Sequence, residues 1–199
     1  MEKKIVIATH NKNKVREFKE ILEPLGYEVF SAKDFNISVE PEENGKTYEE
    51  NAYIKAKFLA EILNMSVVSD DSGIEIDGLG EHFPGINSSR WASSISDDYR
   101  KVDEHVLSLL EGNPNRKASY HCSICFLESK EATPVFFNGV CEGEIVNQIG
   151  GFNGFGYDPI FKSNDLGKCF GDSTDEEKNR VSHRYKASKA FLEYLTSHK

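Results

Sequence analysis

The sequence predicts a mixed α/β fold, because segments with the two-residue period of strands alternate with segments that have the 3.6-residue period of helices. Residues 4–9 form a short apolar run, which is followed by an amphipathic segment and then by a second strand pattern at residues 27–31, as in a βαβ unit. Residues 117–127 and 135–146 have the pattern of two longer strands, and the polar segment joining them favours an antiparallel pair.

Two helices are predicted in the first third of the chain. The first ends at Pro24 and Gly26, and its apolar face is formed by Val15, Phe18, Leu22 and Leu25. The second opens at Thr47 with Glu50 three residues later, a capping box in which each side chain binds a free backbone amide. Its apolar face is formed by Ala52, Ala56, Leu59 and Leu63.

The rest of the chain is predicted to contain short strands, loops and two further helices. Two strand-like pieces, residues 66–69 and 73–76, flank an acidic turn, and the glycine-rich residues 78–89 and 150–161 are predicted to be loops. Residues 96–111 are predicted to form an amphipathic helix whose inward side chains are Val102, Val106, Leu109 and Leu110. A last helix is predicted from Thr174, which forms a capping box with Glu177, to about residue 197.

Length and charge limit the class of protein. A chain of 199 residues fits one domain, or two closely joined lobes, and 38% hydrophobic residues suffice for a core. The formal net charge is −9, so the chain should be repelled by the phosphate backbone of nucleic acids and by anionic membranes. We therefore expect no nucleic-acid polymer and no membrane as partner, whereas small phosphorylated ligands remain compatible with the charge.

The apolar runs and the cysteines predict a cytoplasmic protein. The run at residues 5–8 is far shorter than the core of a signal peptide, roughly 7–15 residues, or a membrane span of about 20. Cys122 and Cys125 form a C-x-x-C, but residues three apart on a strand point to opposite faces, which disfavours a shared metal. These two, Cys141 and Cys169 are predicted to be reduced, buried thiols.

A polar turn after the first predicted strand is a candidate anion site. Thr9-His10-Asn11-Lys12-Asn13-Lys14 lies between a strand end and a helix start. Backbone amides at a helix start and the positive end of the helix dipole attract phosphate, and Lys12 and Lys14 add positive charge. The segment lacks the P-loop pattern, and an ordinary turn with a solvated helix start would also explain it.

Two acidic segments are candidates for metal or proton chemistry. Glu42 and Glu43 precede a helix on which Asn51 and Lys55, four residues apart, share one face and can point at one ligand. Asp70-Asp71-Ser72-Gly73 places two carboxylates side by side, which is unfavourable unless a cation or hydrogen bonds offset the repulsion. Mg²⁺ uses such carboxylates together with waters and phosphates. Solvated surface charges are the alternative for both segments.

A fourth segment combines glycines with aromatic side chains. Gly154-Phe155-Gly156-Tyr157-Asp158 lets a planar ring approach the backbone, and Lys178, His183 and Arg184 follow later in the chain. His183 and Arg184 offer hydrogen-bond donors to the edge of a base. A core aromatic cluster is the alternative explanation.

Taken in this order, these segments resemble one family, the inosine/xanthosine triphosphate pyrophosphatases. The matching pieces are residues 8–14, 50–56, 69–77, Pro84-Gly85 with Ser89-Arg90, 154–161 and 182–184, which together span nearly the whole chain. The resemblance implies an elongated, two-lobed mixed sheet with flanking helices and a central active-site cleft, in a single domain over residues 1–199. It also implies a homodimer that uses Mg²⁺ to hydrolyse ITP, dITP and XTP to the monophosphate and pyrophosphate, which cleanses the nucleotide pool.

The resemblance also implies roles for individual residues. Asp71, with Asp70 beside it, corresponds to the proton acceptor and metal ligand, and Glu42 or Glu43 to the second acidic metal contact. The implied phosphate ligands are Thr9, His10, Asn11, Lys12, Asn13, Lys14 and Lys55. The implied nucleotide-binding positions are Ser72, Phe155, Gly156, Tyr157, Asp158, Lys178, His183 and Arg184, with the last two close to the purine.

The chain departs from the family pattern at two points. His10 stands where the family usually has glycine, so a turn that needs a positive φ there would be strained. The loop at residues 80–85 is longer and bulkier than the usual glycine-rich version. Three other functions are open: a pyrophosphatase for pyrimidine or modified triphosphates, a nucleotide-binding protein without turnover, and an interaction module.

Overall fold

Six strands form a mixed sheet in the computed structural model, which describes residues 3–197. In chain order the strands are β1 (Lys4–Ile7), β2 (Glu28–Ser31), β3 (Ser66–Ile76), β4 (Lys117–Leu127), β5 (Val135–Ile145) and β6 (Phe161–Ser163). The helices are α1 (Lys12–Leu22), α2 (Tyr48–Leu63), α3 (Ser88–Ile95), α4 (Tyr99–Leu109), α5 (Asp175–Asn179) and α6 (His183–Ser197). The strand order is β2-β1-β3-β4-β5-β6, and the fold class predicted from the sequence is confirmed.

The chain divides into two compact units. The described part of unit 1 consists of residues 3–71, 123–138 and 187–197, and unit 2 consists of Ser72–Cys122 and Gly139–Lys186. The first two and last two positions of the single domain predicted from the sequence lie outside the described residues.

Unit 1 contains the predicted βαβ arrangement. Strand β1 pairs in parallel with β2 on one side and with the first part of β3 on the other, and α1 connects β1 to β2. Helix α2 begins as predicted, because Thr47 Oγ1 accepts the amide of Glu50 at 3.1 Å. The Glu50 carboxylate accepts the amide of Lys46 instead of that of Thr47, so only half of the predicted capping box forms. The core of unit 1 includes Val6, Ala52, Ala56, Leu59, Val67 and Leu127.

Unit 2 has its own core, and β5 and β6 pair antiparallel there, with Gly143 opposite Ser163. Strand β6 begins at Phe161, the last residue of the segment that the sequence predicted as a loop. The core side chains include Ile74, Ile76, Val102, Val106, Leu110, Tyr120, Phe161 and Phe170.

The acidic pair does not break β3. The sequence predicted two short pieces around Asp70 and Asp71, whereas Ser66–Ile76 is one continuous strand. The carboxylates tolerate this position because a lysine contacts each of them. Glycine is required at position 73 of this strand, because a Cβ there would collide with the carbonyl oxygen of Gly85.

One helix was predicted with wrong bounds, and another was not predicted. The predicted helix at residues 96–111 begins only at Tyr99, because Asp98 Oδ1 accepts the amide of Arg100 at 2.9 Å and caps α4. Leu109, predicted to face inward, is 49% exposed, since Leu110 takes the buried place at the helix end. Helix α3 begins within the segment predicted as a loop.

The last helix is divided. The predicted capping box of Thr174 and Glu177 is present, but it opens the short α5. A new helix, α6, begins at His183, because Ser182 Oγ accepts the amide of Tyr185 at 3.1 Å and caps its first turn. The break places His183 and Arg184 at a helix start and not in a helix interior.

The four cysteines are buried, and residues 3–197 contain no disulfide. Burial raises the pKa of the Cys125 thiol to about 12, so this group is protonated at neutral pH. Over the described residues, the helices are each too short or too polar to cross a membrane.

Candidate functional site

The polar turn after β1 is built around the side chain of Asn11. Asn11 Oδ1 accepts the amides of Asn13 at 2.9 Å and Lys14 at 3.3 Å, which caps α1, and the amide of Asn11 binds Thr9 Oγ1 at 3.1 Å. The backbone amides of Asn11, Asn13 and Lys14, which the sequence predicted as donors to an anion, therefore form hydrogen bonds within the turn. The side chains of the turn, above all that of Lys14, are the more direct source of positive charge, while Lys12 is exposed.

His10 does not strain this turn. Within residues 3–197 the non-glycine residues with positive φ are Asn36, Asn64 and His82, so the backbone at His10 has no need of glycine. Its side chain is directed at the acidic residues that precede α2, with His10 Nε2 3.7 Å from Glu40 Oε1. The departure from the family pattern is therefore compatible with the local backbone.

The two adjacent aspartates contact different lysines. Successive side chains of a strand point to opposite faces, so Asp70 and Asp71 of β3 diverge. Asp70 Oδ2 lies 2.8 Å from Lys14 Nζ of α1, and Asp71 Oδ1 lies 3.5 Å from Lys55 Nζ of α2. The strand thus separates the two negative charges that the sequence placed side by side.

Lys55 joins Asp71 to the acidic segment. Its ammonium is 2.6 Å from Glu43 Oε1 as well as 3.5 Å from Asp71 Oδ1, so one cation bridges two carboxylates from different parts of unit 1. Glu42, the other candidate for this position, is exposed. Of the two glutamates that the sequence left open, Glu43 is the one that the structure brings to Asp71.

Burial and charge shift the pKa values of Asp71 and Lys55. Burial raises the pKa of Asp71 above its usual value, and the opposing effect of the Lys55 charge does not cancel it. For Lys55, burial favours the neutral form, but the charges of Asp71, Asp70 and Glu43 outweigh it and raise the pKa. Lys55 is therefore positively charged at neutral pH, and Asp71 is a stronger base than an exposed aspartate.

The donor set of unit 1 is compatible with Mg²⁺. Asp71 Oδ2 is buried and has no hydrogen-bond partner among residues 3–197. The Lys55 ammonium lies between Glu43 and Asp71, so these two carboxylates already bind one cation. The described residues contain no group of three or more His, Cys, Asp or Glu side chains arranged around a metal. Mg²⁺ does not require one, because it commonly takes one or two carboxylates and completes its shell with waters and phosphates.

A second group of predicted residues surrounds Asp158 in unit 2. This carboxylate is 2% exposed, and Oδ2 contacts Lys178 Nζ at 2.5 Å and the amide of Phe155 at 2.9 Å. Its other oxygen accepts the Tyr120 hydroxyl at 3.1 Å. Gly154, with φ +75°, is required here, because a Cβ would collide with the Asp158 carboxylate. The result is a buried, hydrogen-bonded ion pair beside an aromatic side chain.

His183 and Arg184 extend this group. The His183 ring stacks on Tyr120, with centroids 4.7 Å apart and planes 9° apart, and Arg184 Nη2 lies 3.4 Å from Ser72 Oγ. Phe155 is 52% exposed, and the charged ends of Lys178 and Arg184 lie 4.5 and 5.8 Å from its ring centroid. A ring exposed beside cations and donors is suited to stacking against a planar ligand.

Tyr157 and Gly156 have structural tasks in the same loop. Tyr157 is buried, and its hydroxyl donates to the carbonyl of Ser88 at 2.7 Å. Gly156 has φ +62°, the left-handed region that favours glycine. These two predicted positions shape the loop that carries Phe155 and Asp158.

Two residues of unit 2 were missed by sequence reasoning. Tyr120 is the platform of His183 and a donor to Asp158, but its place in an alternating strand pattern indicated only a core residue. Asp103 of α4 is 1% exposed, and its Oδ1 finds no hydrogen-bond partner among residues 3–197. A signal was available for Asp103, because it lies between the inward Val102 and Val106 on the apolar side of its helix.

Asp103 makes stability depend on pH. Burial, reinforced by the negative charge of Asp158 and opposed by Arg100, raises the pKa of Asp103 to about 7. A buried acid whose pKa is raised on folding does not destabilise the protein at pH values below its pKa in the unfolded chain, because it is protonated in both states. As the pH rises from that pKa to the pKa in the folded protein, the free energy of unfolding decreases. We expect Asp103→Asn to match the wild type near pH 4 and to be about 2 kcal/mol more stable at pH 8, allowing for partial screening.

Urea denaturation of both proteins at several pH values measures this difference. Asp97→Asn, an exposed change two residues before α4, serves as the control and should show no pH-dependent gain. A loss of stability in Asp103→Asn that is equal at all pH values would mean that the carboxyl group makes a required interaction.

Comparison with known proteins gives matches over nearly the whole chain. The sequence model of the Ham1 family matches residues 5–194. The dITP/XTP pyrophosphatase of Bacillus subtilis is 44% identical over 195 residues, 97% of both chains, and that of Leptospira interrogans is 41% identical over 198 residues, 98% of both. The solved structure of the Staphylococcus aureus Ham1 protein has a TM-score of 0.90 at 35% identity, covering 99% of this chain and 100% of that one.

Proposed function

The chain belongs to the Ham1 family, and we propose that it is a nucleoside-triphosphate pyrophosphatase that converts ITP, dITP and XTP into the monophosphate and pyrophosphate. The names of its relatives support the reaction and the substrate class, in agreement with the resemblance seen in the sequence. The observation that carries the proposal is the Lys55 ammonium held between Glu43 and Asp71, with one Asp71 oxygen buried and without a hydrogen bond.

Glu43 and Asp71 are the residues that would hold Mg²⁺. When bound, the metal supplies positive charge that neutralises the triphosphate. Lys14 and Lys55 add two further positive charges in unit 1, and the other side chains of the Thr9–Lys14 turn are the proposed polar contacts to the phosphates. The fit of this donor set supports Mg²⁺ as the cofactor.

Asp71 is the proposed general base. A water oxygen forms the new bond to phosphorus, the bridging oxygen between the α and β phosphates leaves with the pyrophosphate, and Asp71 accepts the proton that the water loses. The raised pKa of Asp71 makes it a better acceptor than an ordinary carboxylate. Lys55 orients Asp71 through Oδ1, which leaves Oδ2 for the water.

The Asp158 group is proposed to recognise the purine. Phe155 offers its exposed face for stacking, and His183 and Arg184 offer donors for the 6-oxo group of inosine or xanthine. Adenine carries an amino group at that position and would leave these donors unpaired, which costs on the order of 1–3 kcal/mol each. This is the proposed origin of selectivity against ATP.

Release of pyrophosphate from ITP, XTP, dUTP, ATP and GTP, with and without Mg²⁺, tests the function. We expect fast Mg²⁺-dependent release from ITP and XTP and far slower release from ATP and GTP. The donors to the 6-oxo group account for the expectation on ATP, whereas GTP carries the same 6-oxo group and its slow release is expected from the family resemblance. Release from dUTP alone would keep the reaction but overturn the purine assignment. Binding of ITP without any turnover would point to a nucleotide-binding protein that lacks catalysis.

His183→Ala is expected to reduce the preference for ITP over ATP about tenfold, the loss of one discriminating hydrogen bond. The measurement is kcat/KM for both nucleotides, and ATP turnover should change less than ITP turnover. Lys189→Ala, an exposed change on the same helix, is the control. Equal losses on both substrates would show that His183 does not read the base.

Three further features of the proposal rest on the sequence and its family resemblance. These are a homodimer, a cytoplasmic location and a single domain of two lobes. Sedimentation at equilibrium tests the first of them, and a mass equal to one 22.4 kDa chain would exclude a stable dimer.

A further inference from the structure

The Asn51 side chain is buried at the start of α2, where the proposed chemistry assigns it no task. It is 0% exposed, and Oδ1 accepts the amide of Gly45 at 2.8 Å. That contact fixes the orientation of the amide group, because only the oxygen can accept a hydrogen from a backbone N–H. The nitrogen Nδ2 is buried and has no hydrogen-bond partner among residues 3–197.

The residue that Asn51 holds belongs to the segment carrying Glu43. Residues 40–46, here called the acidic turn, are attached to α2 through three contacts. The Gly45 amide binds Asn51, the Lys46 amide binds Glu50 Oε2 at 2.6 Å, and Glu43 Oε1 lies 2.6 Å from Lys55 Nζ. Asn51 and Lys55 are one helical turn apart, so one face of α2 fixes the acidic turn at two points.

The approach of the acidic turn to Asn51 is close. A Cβ at Gly45 would lie 2.6 Å from Asn51 Oδ1 and 2.7 Å from the Cβ of Glu50, distances that real side chains do not adopt. The position of Gly45, two residues after Glu43, is thus set by the Asn51 amide. The buried Nδ2 without a partner is unfavourable, so the contribution of this side chain lies in the contact between its oxygen and the Gly45 amide.

We propose that Asn51 is a positioning residue that holds Glu43 in place through the Gly45 amide and thereby sets the affinity for the metal. The inference rests on the proposed function, since it takes Glu43 as a metal ligand. Because the Asn51 side chain has no exposed surface, it can affect a metal only through the position of the acidic turn. Removing a group that orients a metal ligand typically changes the metal affinity about 10–100-fold.

Amide hydrogen exchange and metal dependence test this role together. In Asn51→Ala, measured without metal, we expect the Gly45 amide to exchange at least ~10-fold faster, because its acceptor is gone. Asn51→Asp keeps an acceptor oxygen and should keep slow exchange. Thr47→Ala is the matched control, since it removes the cap of α2 but leaves the contact between Asn51 and Gly45. The Mg²⁺ concentration for half-maximal ITP hydrolysis should rise at least ~10-fold in Asn51→Ala and less than about twofold in Thr47→Ala.

Unchanged exchange at Gly45 in Asn51→Ala would overturn the proposal, and so would faster exchange with an unchanged Mg²⁺ requirement. Equal shifts in Asn51→Ala and Thr47→Ala would assign Asn51 a merely structural role in α2 and would also overturn it. If the wild-type protein released no pyrophosphate from ITP, the proposed function would fail separately. The exchange measurement needs no turnover, so it would still decide whether Asn51 holds the acidic turn.

Discussion

Asp71→Asn is expected to lower kcat for ITP at least ~100-fold while the protein keeps its fold and its affinity for ITP. Asparagine has the shape of aspartate but cannot accept the proton that the attacking water loses. The fold should persist because Lys55 keeps its shorter contact, the one to Glu43 at 2.6 Å. Removing a buried carboxylate whose pKa is already raised also removes a charge that burial disfavours.

The measurements are steady-state pyrophosphate release and calorimetric binding of ITP to the slow variant. Asp77→Asn, an exposed change just after the same strand, is the control and should behave like the wild type. For the wild type without metal, the raised pKa of Asp71 predicts that its carboxyl group takes up a proton at a higher pH than an ordinary aspartate. Turnover near the wild-type value in Asp71→Asn would remove Asp71 from the role of base.

The local parts of the fold were predictable from the sequence because local physics determines them. The βαβ unit follows from apolar periodicity, and the starts of α2 and α5 follow from threonine caps at Thr47 and Thr174. Strand β3 and the end of the chain were predicted less well, because their bounds depend on tertiary contacts. Two lysines distant in sequence stabilise the acidic pair within β3, and the cap at Ser182 overrides a helical pattern that continues through the break.

The charged residues of the candidate site were predictable from the sequence, but the buried polar residues that contact them or their segments were not. The polar segments with unusual spacing include Lys14, Lys55, Asp70 and Asp71. The structure pairs Lys14 with Asp70 and Lys55 with Asp71 in unit 1. Asn51 appeared only as a side chain sharing a face with Lys55, since its partner is a backbone amide that no sequence pattern reveals. Tyr120 and Asp103 were hidden for a similar reason, because buried strand and helix positions are typical of the core whether or not they carry a polar group.

Asp158→Ala is expected to lower the free energy of unfolding by about 3 kcal/mol, the typical effect of removing one partner of a buried ion pair. The Lys178 side chain is only 13% exposed and contacts Asp158 at 2.5 Å, so its charge would lose its counter-ion in a largely desolvated place. The Tyr120 hydroxyl and the Phe155 amide would lose their acceptor as well. Burial and the negative charge of Asp158 hold the pKa of Tyr120 well above its usual value, so its hydroxyl stays a donor that needs an acceptor.

Urea denaturation of Asp158→Ala and of the double variant Asp158→Ala/Lys178→Met separates the charge from the packing. Methionine removes the unpaired ammonium and keeps most of the side-chain volume, so the double variant should recover more than half of the lost stability. A double variant no more stable than Asp158→Ala would mean that the hydrogen bonds to Tyr120 and Phe155, and not the ion pair, determine the loss. A loss below about 1 kcal/mol in Asp158→Ala would contradict the buried geometry itself, because only exposed ion pairs contribute so little.

The same carboxylate orients Phe155 and supports Tyr120 under His183, so both variants should also have a weaker preference for ITP over ATP, in line with the effect expected for His183→Ala.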